Sequence, residues 1–368
     1  MNRSILSVSL GALLLAGSGG AAFAAIDSAA AEVLLRGTCT DNGATLNNCF
    51  TSISSLNTWT WGTRNPSTTN PLHVLIGTGS FTGTLTCSQH GNVTYTGAGV
   101  GNSVIQNVSN DRCTNLTFEN LTVKSSSSAF EAVQDLGGLT VWKNVEIFSS
   151  GYAWFDAAST SDCVTPRGKH YVFSSRIVST SSNNLFNASN AIFNECDETW
   201  IHGTELQSVA DTNSSDLHTV RVDGGEVYIF GGVIRALPDS SHTFDEISAV
   251  FTAQSAEVNI HGTGIEVTAT GSRNIMAIEA LETSVVNATG VSYDLSTGGT
   301  ITRISADATA TVMAPYLWQN GSVPPSIISK TGADMVVVTS GGTPRLLIYK
   351  AGCSGTSNWY DPHTTTCY

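Results

Sequence analysis

Basic residues are scarce in this chain. It carries 16 Lys+Arg against 29 Asp+Glu, a formal net charge of −13. Nucleic-acid binding draws on a cationic face that displaces counterions from phosphate, so the composition argues against that partner. A polyanionic ligand would need a local basic patch to overcome the overall field. Charge of either sign is sparse, at 12% of residues, while Ser, Thr, Asn and Gly abound. β-Branched and aromatic residues still recur throughout, which separates this composition from that of a disordered chain. No Cys-x-x-Cys pair occurs, which disfavours a zinc ribbon. His-Glu-x-x-His and Gly-x-Ser-x-Gly are missing as well. After the first 24 residues no apolar run approaches the length of a membrane span.

What is present begins with an export signal. Arg3 gives a positive start, Ile5 to Leu15 an apolar core, and Ala22-Phe23-Ala24 a small-residue cleavage site. That order is a secretory signal peptide over residues 1–24. The mature chain is therefore expected to be secreted, in the periplasm, at the cell surface or outside the cell. Eight cysteines follow: Cys39, Cys49, Cys87, Cys113, Cys163, Cys196, Cys353 and Cys367. An even number in an exported chain reads as disulfides, and pairing in sequence order is the expectation.

A repeat dominates the middle of the chain. The segments NVTYTGAGV, NLTFENLTV, TVWKNVEI, HYVFSSRI, TWIHGTEL, VYIFGGVI, VNIHGTGI, SVVNATGV and TVMAPYLW share one pattern. An apolar anchor stands in each: Tyr95, Phe118, Trp142, Val172, Ile201, Ile229, Ile260, Val286 and Met313. Successive anchors fall 23 to 31 residues apart. In most segments a second apolar residue follows five positions on, across a Gly, Asn or Ser that bends the chain. Such a unit has one apolar face and must stack on its neighbours to bury it. Propeller blades need longer repeats, about 40 to 50 residues. The predicted fold is all-β, a single right-handed parallel β-helix over residues 70–320. Residues 25–69 form an N-terminal cap in which Leu46, Cys49, Phe50, Ile53 and Leu56 follow helical spacing. Residues 321–368 form a C-terminal cap, with strands in DMVVVTSGG and TPRLLIYK and a staple from Cys353 to Cys367. Caps are needed because an open end exposes unpaired strand edges.

HVLIGTGSFTGTLTC, TYTGAGVGNSVIQNVS and CTNLTFENLTVKSSS resemble the early coils of the pectate-lyase-like β-helix superfamily. The resemblance implies the fold more strongly than an activity, because that superfamily holds lyases, hydrolases, esterases and non-catalytic surface proteins. The polygalacturonase and pectin methylesterase motifs are missing.

Strand parity places candidate residues on the outer surface, because alternate residues share a face and rungs stack about 4.8 Å apart. Flanking the inward anchors are Tyr171, Trp200, Tyr228 and Asn259 on one side, and Phe173, His202, Phe230 and His261 on the other. Two columns of rings would suit a polysaccharide; the competing reading is that they stack for stability alone. Three positions before each anchor stand Lys169, Glu198, Glu226 and Glu257. Stacked glutamates repel, and a cation such as calcium, a basic neighbour or protonation would relieve them. Carboxylate pairs are also what glycoside hydrolysis needs, and a solvated acidic edge is the plainer alternative. PRGKH, Pro166 to His170, is the densest basic spot. A lyase reading assigns His202 or Lys169 as base and Arg176 as neutraliser of a uronate. The expected function is polysaccharide binding, with cleavage by lyase or hydrolase chemistry as its extension. The alternative is a non-catalytic adhesin.

Overall fold

The computed structural model describes residues 26–125, 131–156, 167–181, 188–210, 216–238, 246–307 and 310–316, with C-terminal strands at 335–340, 343–349, 359–361 and 366–367. The signal segment, Cys163 and Cys353 lie outside the described residues. Strands stack mostly in parallel as a β-solenoid, as expected from the repeat. They fall into three ladders. The first runs from Glu32–Leu35 through Leu72–Ile76 and Gly91–Gly97 to Lys169–Phe173, Glu198–His202, Glu226–Phe230, Glu257–His261 and Val285–Thr289. The second includes Glu146–Ser149, Arg176–Ser181, Glu205–Ala210, Val233–Pro238 and Gly264–Thr268. The third includes Trp154–Asp156, Ile192–Asn194, Asp216–Asp223, Glu246–Ala253 and Ile275–Ala280.

The anchors of the repeat form one inward column of the first ladder. Tyr95 pairs with Phe118, Phe118 with Trp142, Trp142 with Val172, Val172 with Ile201, Ile201 with Ile229 and Ile229 with Ile260. All are buried. Two anchors need correction. Ile260 pairs with Ala288, so Val286 stands two positions early on the same inward face. Met313 pairs with Asn287, whereas Val312 is the partner of Val286. Alanine is a weak apolar signal, and a larger neighbour drew the anchor away from it.

From Phe118 onward each coil turns into the second ladder on one left-handed residue, joined at Gly231 by a second, Gly232 (φ 76°). The corner residues are Asn120 (φ 55°), Asn144 (50°), Ser174 (47°), Gly203 (56°), Gly231 (66°), Gly262 (60°) and Gly290 (63°). Asn and Gly reach this region at least cost, which explains the Gly, Asn or Ser of the repeat. Asn144 Nδ2 also donates to Asn120 Oδ1 at 2.7 Å, bridging successive corners.

At the N-terminal end the helix Ile53–Trp59 buries Ile53, Leu56 and Trp59 against the core. The helical spacing predicted an earlier start, at Leu46. Ser52 caps the helix through Ser55 N, and Cys49–Phe50 is extended because it pairs with Leu34 and Leu35 on the first ladder. Cys39 is bonded to Cys49, and Cys87 to Cys113 with Cα atoms 6.2 Å apart, tying consecutive coils. Cys196 is also disulfide-bonded; its expected partner, Cys163, and the Cys353 half of the last expected pair are not among the described residues. At the C-terminal end Met335–Ser340 and Thr343–Tyr349 form an antiparallel pair. No helix among the described residues is long and apolar enough to cross a membrane.

Candidate functional site

The rows expected on the first ladder are in register. Lys169, Glu198, Glu226 and Glu257 are successive partners; so are Tyr171, Trp200, Tyr228 and Asn259; so are Phe173, His202, Phe230 and His261. Phe173, His202, Phe230 and His261 stack at centroid separations of 5.1, 4.8 and 5.2 Å, and Trp200 stacks on Tyr228 at 4.2 Å. Tyr171 stands farther from Trp200, at 6.4 Å. The ring planes lie within 25° of one another. Rings stacked along the solenoid turn their faces to each other and mainly their edges to solvent.

The polar groups of this face bind one another. Lys169 pairs with Glu198 at 2.8 Å and Arg167 with Glu226 at 2.8 Å. Trp200 Nε1 donates to Glu198, Tyr228 Oη to Glu226 at 3.0 Å, and Asn259 Nδ2 to Glu257 at 2.8 Å. Partial burial works to raise the Glu198 carboxyl, but the hydrogen bonds from Lys169 and Trp200 outweigh it and its pKa lies below the usual glutamate value. A general acid requires the opposite. The hydrogen bond to Glu198 and its charge hold the Lys169 ammonium above the ordinary lysine value, again the reverse of what a base requires. Burial and the bond to Glu226 push the Tyr228 phenol up to about 12. Arg176 stands apart from these rows, on the second ladder. There Glu146, Arg176, Glu205, Arg235 and Glu266 alternate in one chain of ion pairs between 2.6 and 3.5 Å.

PRGKH divides between two environments. Lys169 points out, while His170 shares the parity of Val172 and is fully buried. His170 Nδ1 meets Asp135 Oδ2 at 3.0 Å and Thr140 Oγ1 at 2.9 Å, and its Nε2 meets Asp197 Oδ2 at 3.0 Å. Asp156, Asp135 and Asp197 are buried beside it. Burial opposes the imidazolium, but Asp135 and Asp197 prevail and hold His170 well above its ordinary pKa. Burial, then the Asp197 charge, raise Asp156 well above the carboxylate range. Parity could have found this histidine, since it lies two residues before an anchor.

A third arrangement escaped the sequence reading. On the outer side of the third ladder Thr86, Ser109, Gln134, Phe155, Phe193, Arg221, Phe251 and Glu279 are successive partners in one row. Its first part lines a groove of about 510 Å³ together with Thr84, Gln106, Asn107 and Glu131. The N-terminal helical segment borders it, since Asn57 Nδ2 donates to Thr84 O at 2.8 Å and Trp61 Nε1 to Thr86 O. Its second part is aromatic. Tyr152 lies 5.8 Å from Phe155 and 5.5 Å from Phe193. The Arg221 guanidinium is sandwiched between Phe193 at 4.8 Å and Phe251 at 5.4 Å, and it donates twice to Asp223 Oδ2. Burial, then the Asp223 charge, raise the Glu195 carboxyl, against the pull of Arg221. Burial is also the main cause that raises Tyr152. No short motif marks this row, because its members come one from each coil.

Comparison with protein-family models, curated proteins and solved structures finds no match. The resemblance to pectate-lyase-like coils therefore rests on the early-coil residues and on the solenoid architecture.

Proposed function

We propose that this is an exported solenoid that binds a polysaccharide on its outer surface, with the groove at Gln134 as the principal seat. The observation that carries this reading is the groove's lining. Among the described residues it offers hydroxyls of Thr84, Thr86 and Ser109, amides of Gln106, Asn107 and Gln134, one carboxylate from Glu131 and no cation. Sugar hydroxyls both donate and accept, and amides and hydroxyls answer both roles. A volume of about 510 Å³ is in the range of small-ligand sites. The lack of a cation favours a neutral glycan over a uronate polymer. The ring columns of Tyr171, Trp200, Tyr228 and Phe173, His202, Phe230, His261 are the rival seat, where sugars would meet ring edges and carboxylates.

A second reading adds hydrolysis. It is favoured by Glu195, whose carboxyl is raised in the direction a general acid needs, beside the Arg221–Asp223 pair.

Affinity electrophoresis against a panel of neutral and acidic polysaccharides tests the binding. At least one neutral glycan should retard the protein, and the double variant Asn107→Ala, Gln134→Ala should weaken retention about tenfold, with Trp200→Ala near wild type. Loss on Trp200→Ala alone would move the seat to the ring columns. Retardation by no glycan overturns the reading. Release of reducing ends, abolished in Glu195→Gln, would establish hydrolysis, and silence would remove it.

A further inference from the structure

We infer that the interior of the solenoid holds a divalent-cation site made by His170 Nε2, Asp197 and Asp156, with Asp135 orienting the histidine. The three donor groups are buried, and their ligand atoms lie within 4.8 Å of one another. They come from different ladders. Lys169–Phe173 carries His170 and Trp154–Asp156 carries Asp156, while Asp197 stands in the turn that feeds the next rung. Register thus converges three elements on one point.

Three features argue for an ion there. Three carboxyl groups, Asp135, Asp156 and Asp197, surround one imidazole in the buried interior, so acidic groups outnumber the basic one and the cluster has oxygen donors to spare for a cation. Asp156 Oδ2 accepts from Asp197 N at 3.1 Å, but Asp156 Oδ1 is buried with no hydrogen-bond partner. Finally, His170 is set as a ligand histidine usually is: one ring nitrogen held by a carboxylate, Asp135 Oδ2 at 3.0 Å, the other turned to the remaining donors. Asp197 Oδ1 is already fixed by Gly168 N at 2.7 Å. A set of one imidazole and two carboxylates suits zinc, manganese or cobalt. Calcium is a poorer match, since it takes six to eight oxygens.

Because the site is enclosed, the ion would load during folding. The test is to unfold the purified chain with chelator, refold it with Zn²⁺ or Co²⁺, remove excess by gel filtration and measure bound metal. The expected result is about one equivalent, with visible Co²⁺ absorption bands and a melting temperature above that of the metal-free refold. Asp156→Asn should lower retention about tenfold or more, and Asp135→Asn should change the Co²⁺ spectrum. Wild-type protein that retains no stoichiometric metal overturns the proposal, whether or not the variants fold. So does an Asp156→Asn protein that folds and keeps the metal with the wild-type Co²⁺ spectrum.

Discussion

The coils of Tyr95 to Trp142 and the coils of Tyr171 to His261 use the same ladder in opposite ways. In the first group the rings point in: Tyr95, Phe118 and Trp142 stack at 5.1 and 4.0 Å inside the core, and Trp154 meets Trp142 edge-on at 5.2 Å. The outward positions there are Thr94, Thr117 and Val141, and Thr96, Glu119 and Lys143. In the second group the core column is aliphatic, Val172, Ile201, Ile229 and Ile260, and the rings stand outside. Parallel stacking gives both groups their ring-on-ring geometry. What differs is burial, so the inner stack should govern stability, and the outer rings are freer to serve a ligand.

The sharpest way to break that contrast is to truncate one ring of each kind. Trp142→Ala, inside, should cost about 3–5 kcal/mol in urea unfolding through lost burial and a cavity. Equal costs at Trp142 and Trp200 would erase the distinction. Next in size is a corner of the second group. Gly232 has φ 76°, and a Cβ there would lie 2.1 Å from Thr204 O. Gly232→Ala should therefore cost about 1–3 kcal/mol in the same assay.

His218 offers a pH handle on the third ladder. It is buried against Phe251 with Nδ1 2.6 Å from Ser248 Oγ, and burial, then the Arg221 charge, lower its pKa to about 3. The folded value lies below the unfolded one, so the unfolded chain binds the extra proton between them. This contribution is complete above about pH 6.5 and is lost as pH falls towards 3. The slope should reach about 1.4 kcal/mol per pH unit, and urea titrations of wild type and His218→Gln should show it flattened in the variant. Trp200→Ala, outside, should cost only about 0.5–1.5 kcal/mol. Smallest of all, Arg176→Ala should cost less than about 1 kcal/mol, since its ion pairs are largely exposed.

The first ladder was legible because its anchors are large and its outward residues keep strict parity with them. The rows of Glu198, Trp200 and His202 followed directly from Ile201. The third ladder was not legible, because its strands follow connections of unequal length and Phe155, Phe193, Arg221 and Phe251 hold no fixed offset from any anchor. The groove needed three-dimensional information of another kind, since Thr84, Asn107 and Gln134 come from successive coils and no single segment contains its lining. His170 was visible but was grouped with Lys169 by charge, when parity sends the two residues to opposite sides of one strand.

The corner between the first two ladders also governs where this chain can vary. From Trp142 to Ile147, Val172 to Ile177, Ile201 to Leu206, Ile229 to Ile234 and Ile260 to Ile265 the step is always five residues. One residue more would exchange inside for outside along the following strand. All differences in coil length must therefore be absorbed at the other two corners. The first two ladders make a fixed grid on which every surface position has an address computable from its anchor. Loops grafted elsewhere would leave that grid undisturbed, so the fold can change what it displays without redrawing the surface that carries it.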